Sequence, residues 1–144
     1  MNKQNKYFLI NLTENSAEIP LPEGKKISIG RDIDNTIRIS NELKLVSRFH
    51  ANILVTENRC TFEDLNDNIN GSYQTSCEEY EKNPTWNRLK KGVQTNIFNN
   101  TVIRLGGEAD NPNIQGARVC DIKIVAREIE KSNGTTIMAN NDDC

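Results

Sequence analysis

Three short polar clusters contain the residues of this chain that could do chemistry. They are a Gly-Arg pair at 30–31, a Val-Ser-Arg-Phe-His run at 46–50 and an Asn-Gly-Ser run at 70–72. Together they offer two guanidinium groups, a hydroxyl and a side-chain amide, and strand-like runs separate them along the chain. Such donors suit a phosphate dianion attached to a peptide. If the loops that carry them converge, the sequence predicts a site for phosphorylated protein.

Each of these side chains has a physical reason to bind a phosphorylated peptide. Arg31 offers a rigid planar fork that can hold two phosphate oxygens, which a lysine could not match. Ser47 can donate its hydroxyl to a phosphate oxygen, and Arg48 can add a second charge or a backbone contact. Asn70 carries both a donor and an acceptor, so it can pair with the main chain of a peptide.

Catalysis and metal binding are the other chemistries that these residues could support. Ser47 and His50 could act as nucleophile and base. However, residues three apart in an extended chain point to opposite faces, and the chain has no other histidine. His50 and Cys60 as metal ligands lack two further partners at a recognisable spacing. We therefore expect no enzyme, no metal and no cofactor, and a hydrolase built on Ser47 is kept as an alternative.

Composition limits the partners and the location. A length of 144 residues suggests a single domain, and the net charge of −2 argues against nucleic acid or an anionic membrane as a partner. The apolar run at the N-terminus is too short for a signal peptide or a membrane span. The four cysteines, at 60, 77, 120 and 144, show no ligand spacing. They are interpreted as free thiols, and we expect an intracellular protein, cytoplasmic or nuclear.

The elements that must position the three clusters are short strands. Runs with strand character occur at 7–12, 26–30, 36–39, 50–56, 60–65, 94–98, 101–105 and 120–127. Turn formers separate them, which favours an all-β fold, an antiparallel β-sandwich. Residues 74–87 break the rhythm and are predicted to be an inserted loop, with a helical turn over 76–81. The predicted domain is 1–128, followed by a disordered polar tail or linker at 129–144.

Four stretches together resemble one known family, the forkhead-associated (FHA) domain. GRDIDNTIRI is similar to its first signature, VSRFHANI to its second and EDLNDNINGS to its third. RLKKGVQTNIFNNTVIRLGG resembles the closing part, in which a strand, a turn and an I-x-L-G run follow one another. The four occur in the family's order, and the resemblance covers roughly residues 7–128.

The resemblance implies a β-sandwich of about eleven strands whose loops at one end bind phosphothreonine peptides in signalling. It implies that Asn70 holds the peptide backbone, and that the histidine at position 50 braces a loop without touching the ligand. Gly30 is expected to relax the backbone where a strand meets the Arg31 loop. The residues expected to support the site are Gly30, His50, Gly71 and Ser72.

The chain also departs from the family pattern. Ile69 stands where many relatives carry a threonine or serine that helps to hold phosphate, and Asn68 is a candidate replacement for that donor. The residues expected to contact the phosphopeptide are therefore Arg31, Ser47, Arg48, Asn68, Ile69 and Asn70. The 74–87 insertion could shape or block the site. The alternative function is therefore a phosphate-independent scaffold that uses the sandwich face or the insertion. The expected partner is a threonine-phosphorylated protein or peptide, or another domain of a larger parent protein.

Overall fold

Two β-sheets packed face to face form the molecule. The structure is a computed structural model that describes residues 2–14, 17–65, 68–108, 111–113, 118–132 and 135–138. The larger sheet contains β1 (Asn2–Asn11), β2 (Glu18–Leu21), β7 (Ser72–Ser76), β8 (Asn87–Arg88), β10 (Thr101–Leu105), β11 (Cys120–Ser132) and β12 (Thr135–Met138). The smaller sheet contains β3 (Ile27–Gly30), β4 (Ile37–Arg38), β5 (Ala51–Thr56), β6 (Arg59–Asp64) and β9 (Gln94–Ile97). The predicted β-sandwich is confirmed.

The strand order brings distant parts of the chain together. The larger sheet runs β2-β1-β11-β10-β7-β8, with β12 pairing the last part of β11, and the smaller runs β4-β3-β5-β6-β9. All recorded strand pairs are antiparallel except β3 with β4. Since β3, β5 and β6 are neighbours, the loops that follow β3, precede β5 and follow β6 meet at one end of the smaller sheet. These are the loops that carry the three polar clusters.

The core lies between the two sheets and is built from alternating side chains. In β5, Ala51, Ile53 and Val55 are buried while the residues between them are partly exposed. Ile53 pairs with Phe62 of β6, and both side chains are almost fully buried. Each large apolar side chain withdrawn from water in this way stabilises the fold by about 1.5–3 kcal/mol. This core fixes the ends of the strands from which the site loops leave.

The eight strands predicted from sequence all occur, and the structure adds four more. Among the added strands, β2 contains Pro20 and lies at the edge of its sheet, where a missing backbone donor costs no pairing. The sequence of β7, Ser-Tyr-Gln-Thr-Ser, has no apolar alternation that would mark it as a strand. The remaining two are β8, which is two residues long, and β12.

The inserted segment folds onto the larger sheet, and its predicted helical turn is confirmed. Helix α1 (Cys77–Lys82) begins after Ser76, whose hydroxyl accepts a hydrogen bond from the Glu79 N–H at 3.1 Å. The guanidinium of Arg104 lies 4.5 Å from the centre of the Trp86 ring. Tyr80 meets the same ring edge-on at 6.0 Å. Trp86 thus fastens the insertion to the sandwich.

The last part of the chain also differs from the expected polar tail. Strand β11 continues to Ser132, and β12 pairs with its final residues. The rest of the expected tail, 133–134 and 139–144, lies outside the described residues. Cys60 and Cys120 are free and buried. Cys77 is disulfide-bonded, so the prediction of free thiols is wrong there and the cysteines give less support to a reducing compartment.

Candidate functional site

A depression of about 410 Å³ lies at the end of the sandwich where the three loops meet. Its walls are Arg31, Lys44, Val46, Ser47, Arg48, Phe49, Ile69 and Asn70. The structure therefore brings together five of the six residues predicted to contact a phosphopeptide. The sixth, Asn68, lies beneath the surface, as do the four residues predicted to support the site.

Arg31 is held in a fixed orientation at the start of the first loop. Its Nε donates to the Val46 carbonyl, and its Nη1 donates to Asn41 Oδ1 at 2.7 Å. The Arg31 backbone N–H also donates to the Ser47 carbonyl at 3.2 Å. Nη2 has no partner among the described residues. An arginine oriented in advance by the neighbouring loop loses little side-chain entropy when it meets an anion.

The segment 45–48 is anchored through its main chain. Each of its four consecutive carbonyls accepts a hydrogen bond from another loop. The Leu45 carbonyl accepts from Asn70 Nδ2, and the Val46 carbonyl accepts from Arg31 Nε. The Ser47 carbonyl accepts from the Arg31 backbone N–H, and the Arg48 carbonyl accepts from Asn35 Nδ2. The Arg48 carbonyl also accepts from the Asp32 N–H. These bonds fix the backbone, so the side chains at 47 and 48 are presented on a rigid support.

Gly30 allows this segment to approach β3. A Cβ built on Gly30 would lie 2.2 Å from the Arg48 carbonyl oxygen, closer than any real contact. The φ angle of Gly30 does not lie in the left-handed region. The expected reason for this glycine, backbone freedom, is therefore wrong, and the actual reason is steric. Gly71 does adopt a positive φ of 80°, as the predicted tight turn requires.

Ser47 places a hydroxyl on the wall of the depression. Its Oγ lies 3.4 Å from Asn68 Oδ1, which is long for a hydroxyl hydrogen bond. The hydroxyl can therefore rotate toward an oxygen of a ligand at little cost. Its neighbour Arg48 is exposed, as is Lys44, and neither side chain has a recorded partner among the described residues. Two cations on the same wall favour an anionic ligand.

His50 braces the loops from inside and does not reach the depression. The imidazole is fully buried; Nδ1 accepts from the Ser47 backbone N–H at 3.0 Å, so the ring proton sits on Nε2. Nε2 then donates to the Gly71 carbonyl at 2.9 Å and lies 3.0 Å from Ser72 Oγ. Both ring nitrogens are thus occupied by structural partners, and neither bonds the Ser47 hydroxyl. No nucleophile–base pair is assembled from these residues.

Burial lowers the pKa of His50 to about 3, from an ordinary value of 6.5. As pH falls between these values the unfolded chain takes up a proton that the folded protein does not, so the free energy of unfolding should decrease. Asp64, whose pKa is raised, acts in the opposite sense at the acid end. Because His50 is the chain's one histidine, denaturant titrations from pH 7 to pH 5 should show this decrease in the wild type.

The control for this pH effect is His50→Gln, which retains an amide donor but no group that titrates in the window. Its free energy of unfolding should be nearly flat over the same range, even if it is lower throughout. Parallel slopes for the variant and the wild type would contradict the assignment. The readout is the slope, so a general loss of stability in the variant does not confuse the result.

Asn68 is the hub that shapes the turn before β7. Its side chain is fully buried, and its Oδ1 accepts from the backbone N–H groups of Asn70 and Gly71 at 3.0 and 2.8 Å. Its Nδ2 donates to the His50 carbonyl and to Asp64 Oδ1. Since both amide protons are used inside the protein, Asn68 is placed as a support of the loop and not as a donor on the wall.

A buried carboxylate and a lysine lie beneath this turn. Asp64 accepts from Ser72 Oγ at 2.6 Å, and Lys91 Nζ donates to the Asn68 carbonyl. Burial raises the pKa of the Asp64 carboxyl, while the Ser72 hydrogen bond and the charges of Lys91 and Arg88 act to lower it. The support beneath the site is therefore a polar network, which penalises any change that leaves one member unpaired.

Asn70 carries the carboxamide on the third loop. Its Nδ2 donates to the Leu45 carbonyl at 3.0 Å, which ties the third loop to the second. Its Oδ1 has no recorded partner among the described residues and is the acceptor that a peptide N–H could use. The nitrogen of this amide thus ties two loops together, while its oxygen remains available to accept a hydrogen bond.

The helix of the 74–87 insertion does not lie at this end of the molecule. The Cys77 N–H donates to the Asn100 carbonyl, at the end of β7 that is remote from Gly71. The chain returns along β8, where Arg88 pairs with Tyr73. A Cβ on Gly71 would lie 3.2 Å from Arg88 Nη2, so Arg88 reaches the underside of the third loop.

Two residues of the site region were not singled out from the sequence. Asn35 is buried, and its Nδ2 donates to the carbonyls of Asp32 and Arg48. Asn41 accepts from Arg31. Asn35 falls within the GRDIDNTIRI stretch, which gave a signal for it, whereas nothing in the sequence distinguished Asn41 from the other asparagines. No cluster of three or more potential metal ligands occurs among the described residues, nor any helix long and apolar enough to cross a membrane.

Comparison with known proteins gives matches to one family, in both sequence and structure. A sequence model of the FHA domain matches residues 27–106, more than half of the chain. No curated protein gives a significant match. The FHA domain of CT664 protein from Chlamydia trachomatis superposes with a TM-score of 0.60 at 23% identity, covering 83% of this chain and 96% of that chain.

Two further solved structures show the same likeness. One is the N-terminal FHA domain of Rad53p from S. cerevisiae in complex with a phosphothreonine peptide, with a TM-score of 0.63, 14% identity, and coverage of 83% of this chain and 92% of that chain. The other is the FHA domain of an Arabidopsis thaliana hypothetical protein, with a TM-score of 0.61, 19% identity, and coverage of 85% and 86%. At such identities these structures establish the fold.

Proposed function

This chain belongs to the FHA domain family, and from that membership we propose that it is a non-enzymatic module that binds a threonine-phosphorylated peptide. Binding would occur in the depression among the three loops. It would couple phosphorylation of a partner protein, or of another part of a larger parent protein, to a regulated protein–protein interaction. We extend the proposal to an intracellular setting, in which a protein kinase supplies the ligand.

One observation carries this proposal. The side chains of Arg31, Ser47 and Asn70 leave three separate loops, and all three line one depression of about 410 Å³. A phosphate on a peptide needs charged and neutral donors at one point and a main-chain contact beside it. The depression collects these donors although the net charge of the chain is −2.

The roles of the residues follow from their remaining hydrogen-bonding capacity. Arg31 would direct Nη2 and its charge to the phosphate, since Nε and Nη1 already hold the loop. Ser47 would turn its hydroxyl from the long contact with Asn68 to a phosphate oxygen. Asn70 would accept from a peptide N–H. A phosphothreonine offers about −1.5 to −2 charges and three acceptor oxygens, which match these donors.

The phosphothreonine peptide held by the S. cerevisiae relative supports this choice of ligand. The placement of Ile69 at the rim, where a hydroxyl residue is common in relatives, leaves one phosphate donor fewer. Asn68 does not replace it, because its amide protons are already paired with His50 and Asp64. Arg48 and Lys44, two exposed cations that line the depression, would make up for that donor.

The deciding experiment is a calorimetric titration with two peptides that differ only in phosphorylation of one threonine. The phosphorylated peptide should bind at least about tenfold more tightly, as expected for the loss of one or two charge-assisted hydrogen bonds. A peptide with glutamate in place of phosphothreonine serves as a control for charge without the phosphate geometry. Equal binding of the phosphorylated and plain peptides would favour the alternative, a phosphate-independent scaffold.

A further inference from the structure

Exposed apolar side chains are concentrated around the candidate site. Five large hydrophobic residues are exposed among the described residues, and three of them lie on the loops at this end of the sandwich. They are Ile33 at 73%, Phe49 at 46% and Ile69 at 83%. Single exposed hydrophobic residues are ordinary on protein surfaces. Two of these residues, Phe49 and Ile69, lie on loops that are far apart in sequence and yet line the same depression, which makes them a candidate contact surface for a ligand.

Phe49 and Ile69 belong to the depression itself. Both line it together with Arg31 and Ser47, and Val46 adds a buried apolar part of the wall. Ile33 lies on the first loop but does not line the depression. The cavity therefore has a cationic, hydrogen-bonding part and an apolar part.

The exposure of Ile69 is imposed by rigid neighbours. Asn68, immediately before it, is fully buried, and its Oδ1 holds the backbone N–H groups of the two residues that follow Ile69. Phe49 lies similarly between Arg48, whose carbonyl is anchored to Asn35, and the buried His50. Neither side chain can turn inward without breaking these bonds. An apolar surface presented on a fixed backbone can bind a ligand without a large ordering cost.

We propose that the ligand is a phosphothreonine peptide with a large aliphatic or aromatic residue close in sequence to the phosphothreonine, and that Ile69 and Phe49 contact this residue. The inference rests on the function proposed above and names the class of sequence that the site selects. The phosphate fixes one point of the peptide on Arg31 and Ser47, and burial of the apolar side chain fixes a second. Ile69 thus serves as a specificity residue in place of a phosphate donor.

The test is a phosphothreonine peptide library in which each of three positions before and after the phosphothreonine holds leucine, alanine or aspartate in turn. Wild type should bind the leucine peptide about tenfold more tightly than the alanine peptide at one or more positions, as the burial of one aliphatic side chain predicts. In Ile69→Ser the difference should shrink to about twofold or less. Ile33→Ser is the matched control, since Ile33 is equally apolar and exposed but lies outside the depression, and it should keep the full preference.

Each other result overturns the proposal in an identifiable way. If phosphopeptides bind with normal dependence on Arg31 but leucine is no better than alanine at any position, the apolar inference fails and the proposed function stands. A preference for aspartate would likewise reject it, and would assign selectivity to Lys44 and Arg48. If Ile69→Ser and Phe49→Ser both keep the leucine preference, the contact is elsewhere. If no phosphopeptide in the library binds to wild type, the proposed function and the inference fail together.

Discussion

Replacement of Arg31 by alanine should weaken binding of a phosphothreonine peptide by about tenfold to a hundredfold, which corresponds to the loss of one or two charge-assisted hydrogen bonds. The guanidinium is the one charged group of the depression that the protein itself holds in place, through Val46 and Asn41. Titration calorimetry with the phosphorylated and plain peptides measures the effect. Binding of the plain peptide should be unchanged.

Arg31→Lys is the matched variant, because it keeps the charge and removes the planar fork. It should recover only part of the lost affinity, since a single ammonium cannot bond the phosphate and also replace the Arg31 hydrogen bonds to Val46 and Asn41 that orient the side chain. Both variants should melt within a few degrees of the wild type, because Arg31 is only half-buried. Wild-type affinity in Arg31→Ala would remove Arg31 from the site.

Replacement of Gly30 by alanine should both destabilise the protein and weaken peptide binding. The added methyl group would overlap the Arg48 carbonyl, which lies 2.2 Å from the Cβ position. Because the main chain fixes the position of a Cβ and the Arg48 carbonyl is itself backbone, the strand or the loop must move, at a cost of about 1–3 kcal/mol. The movement would shift Ser47 and Arg48 away from Arg31. Thermal unfolding and the same peptide titration measure the two effects.

Gly24→Ala is the matched control for Gly30→Ala, because it strains the backbone at a glycine that is remote from the site. Gly24 has a φ of +79°, so alanine is strained there, but a Cβ at this residue would meet nothing within 4 Å. Its N–H donates to the Val55 carbonyl, at the end of β5 that is remote from the site. The variant should be destabilised by about 1–2 kcal/mol with unchanged peptide affinity. An equal loss of affinity in the two glycine variants would contradict the role of Gly30 in positioning the loop.

The sequence predicted those parts of the molecule that follow a local rule. Strands such as β5 were predicted because alternate residues are apolar, and the alternation reports burial directly. Strand β7 was missed because its neighbours β10 and β8 hold it in the sheet while its own residues are mostly polar. Strand β2 was missed because Pro20 is acceptable only at an edge, and no local pattern tells an edge from a turn.

The residues that line the depression were largely predictable from the sequence, whereas the contacts that hold them were not. Motif types and spacing were enough to select Arg31, Ser47 and Asn70 before their convergence was known. The roles of the buried residues that support the depression were harder to predict, because they depend on which buried atoms face one another. Asn68 was expected to contact a phosphate, whereas it lies beneath the wall of the depression, bonded to His50 and Asp64.

The anchoring of segment 45–48 through its carbonyl groups has a consequence for how recognition can diverge. Every amino acid supplies the same carbonyl, so the bonds from Arg31, Asn35 and Asn70 survive a change of side chain at 47 or 48. Under the proposed function, single mutations at 48 would therefore change ligand selectivity without a compensating mutation in the loops opposite, while Ser47 stays committed to the phosphate. On the same basis, position 48 is the place in this segment to randomise when building a reagent for a chosen phosphopeptide, with Ser47 retained for the phosphate.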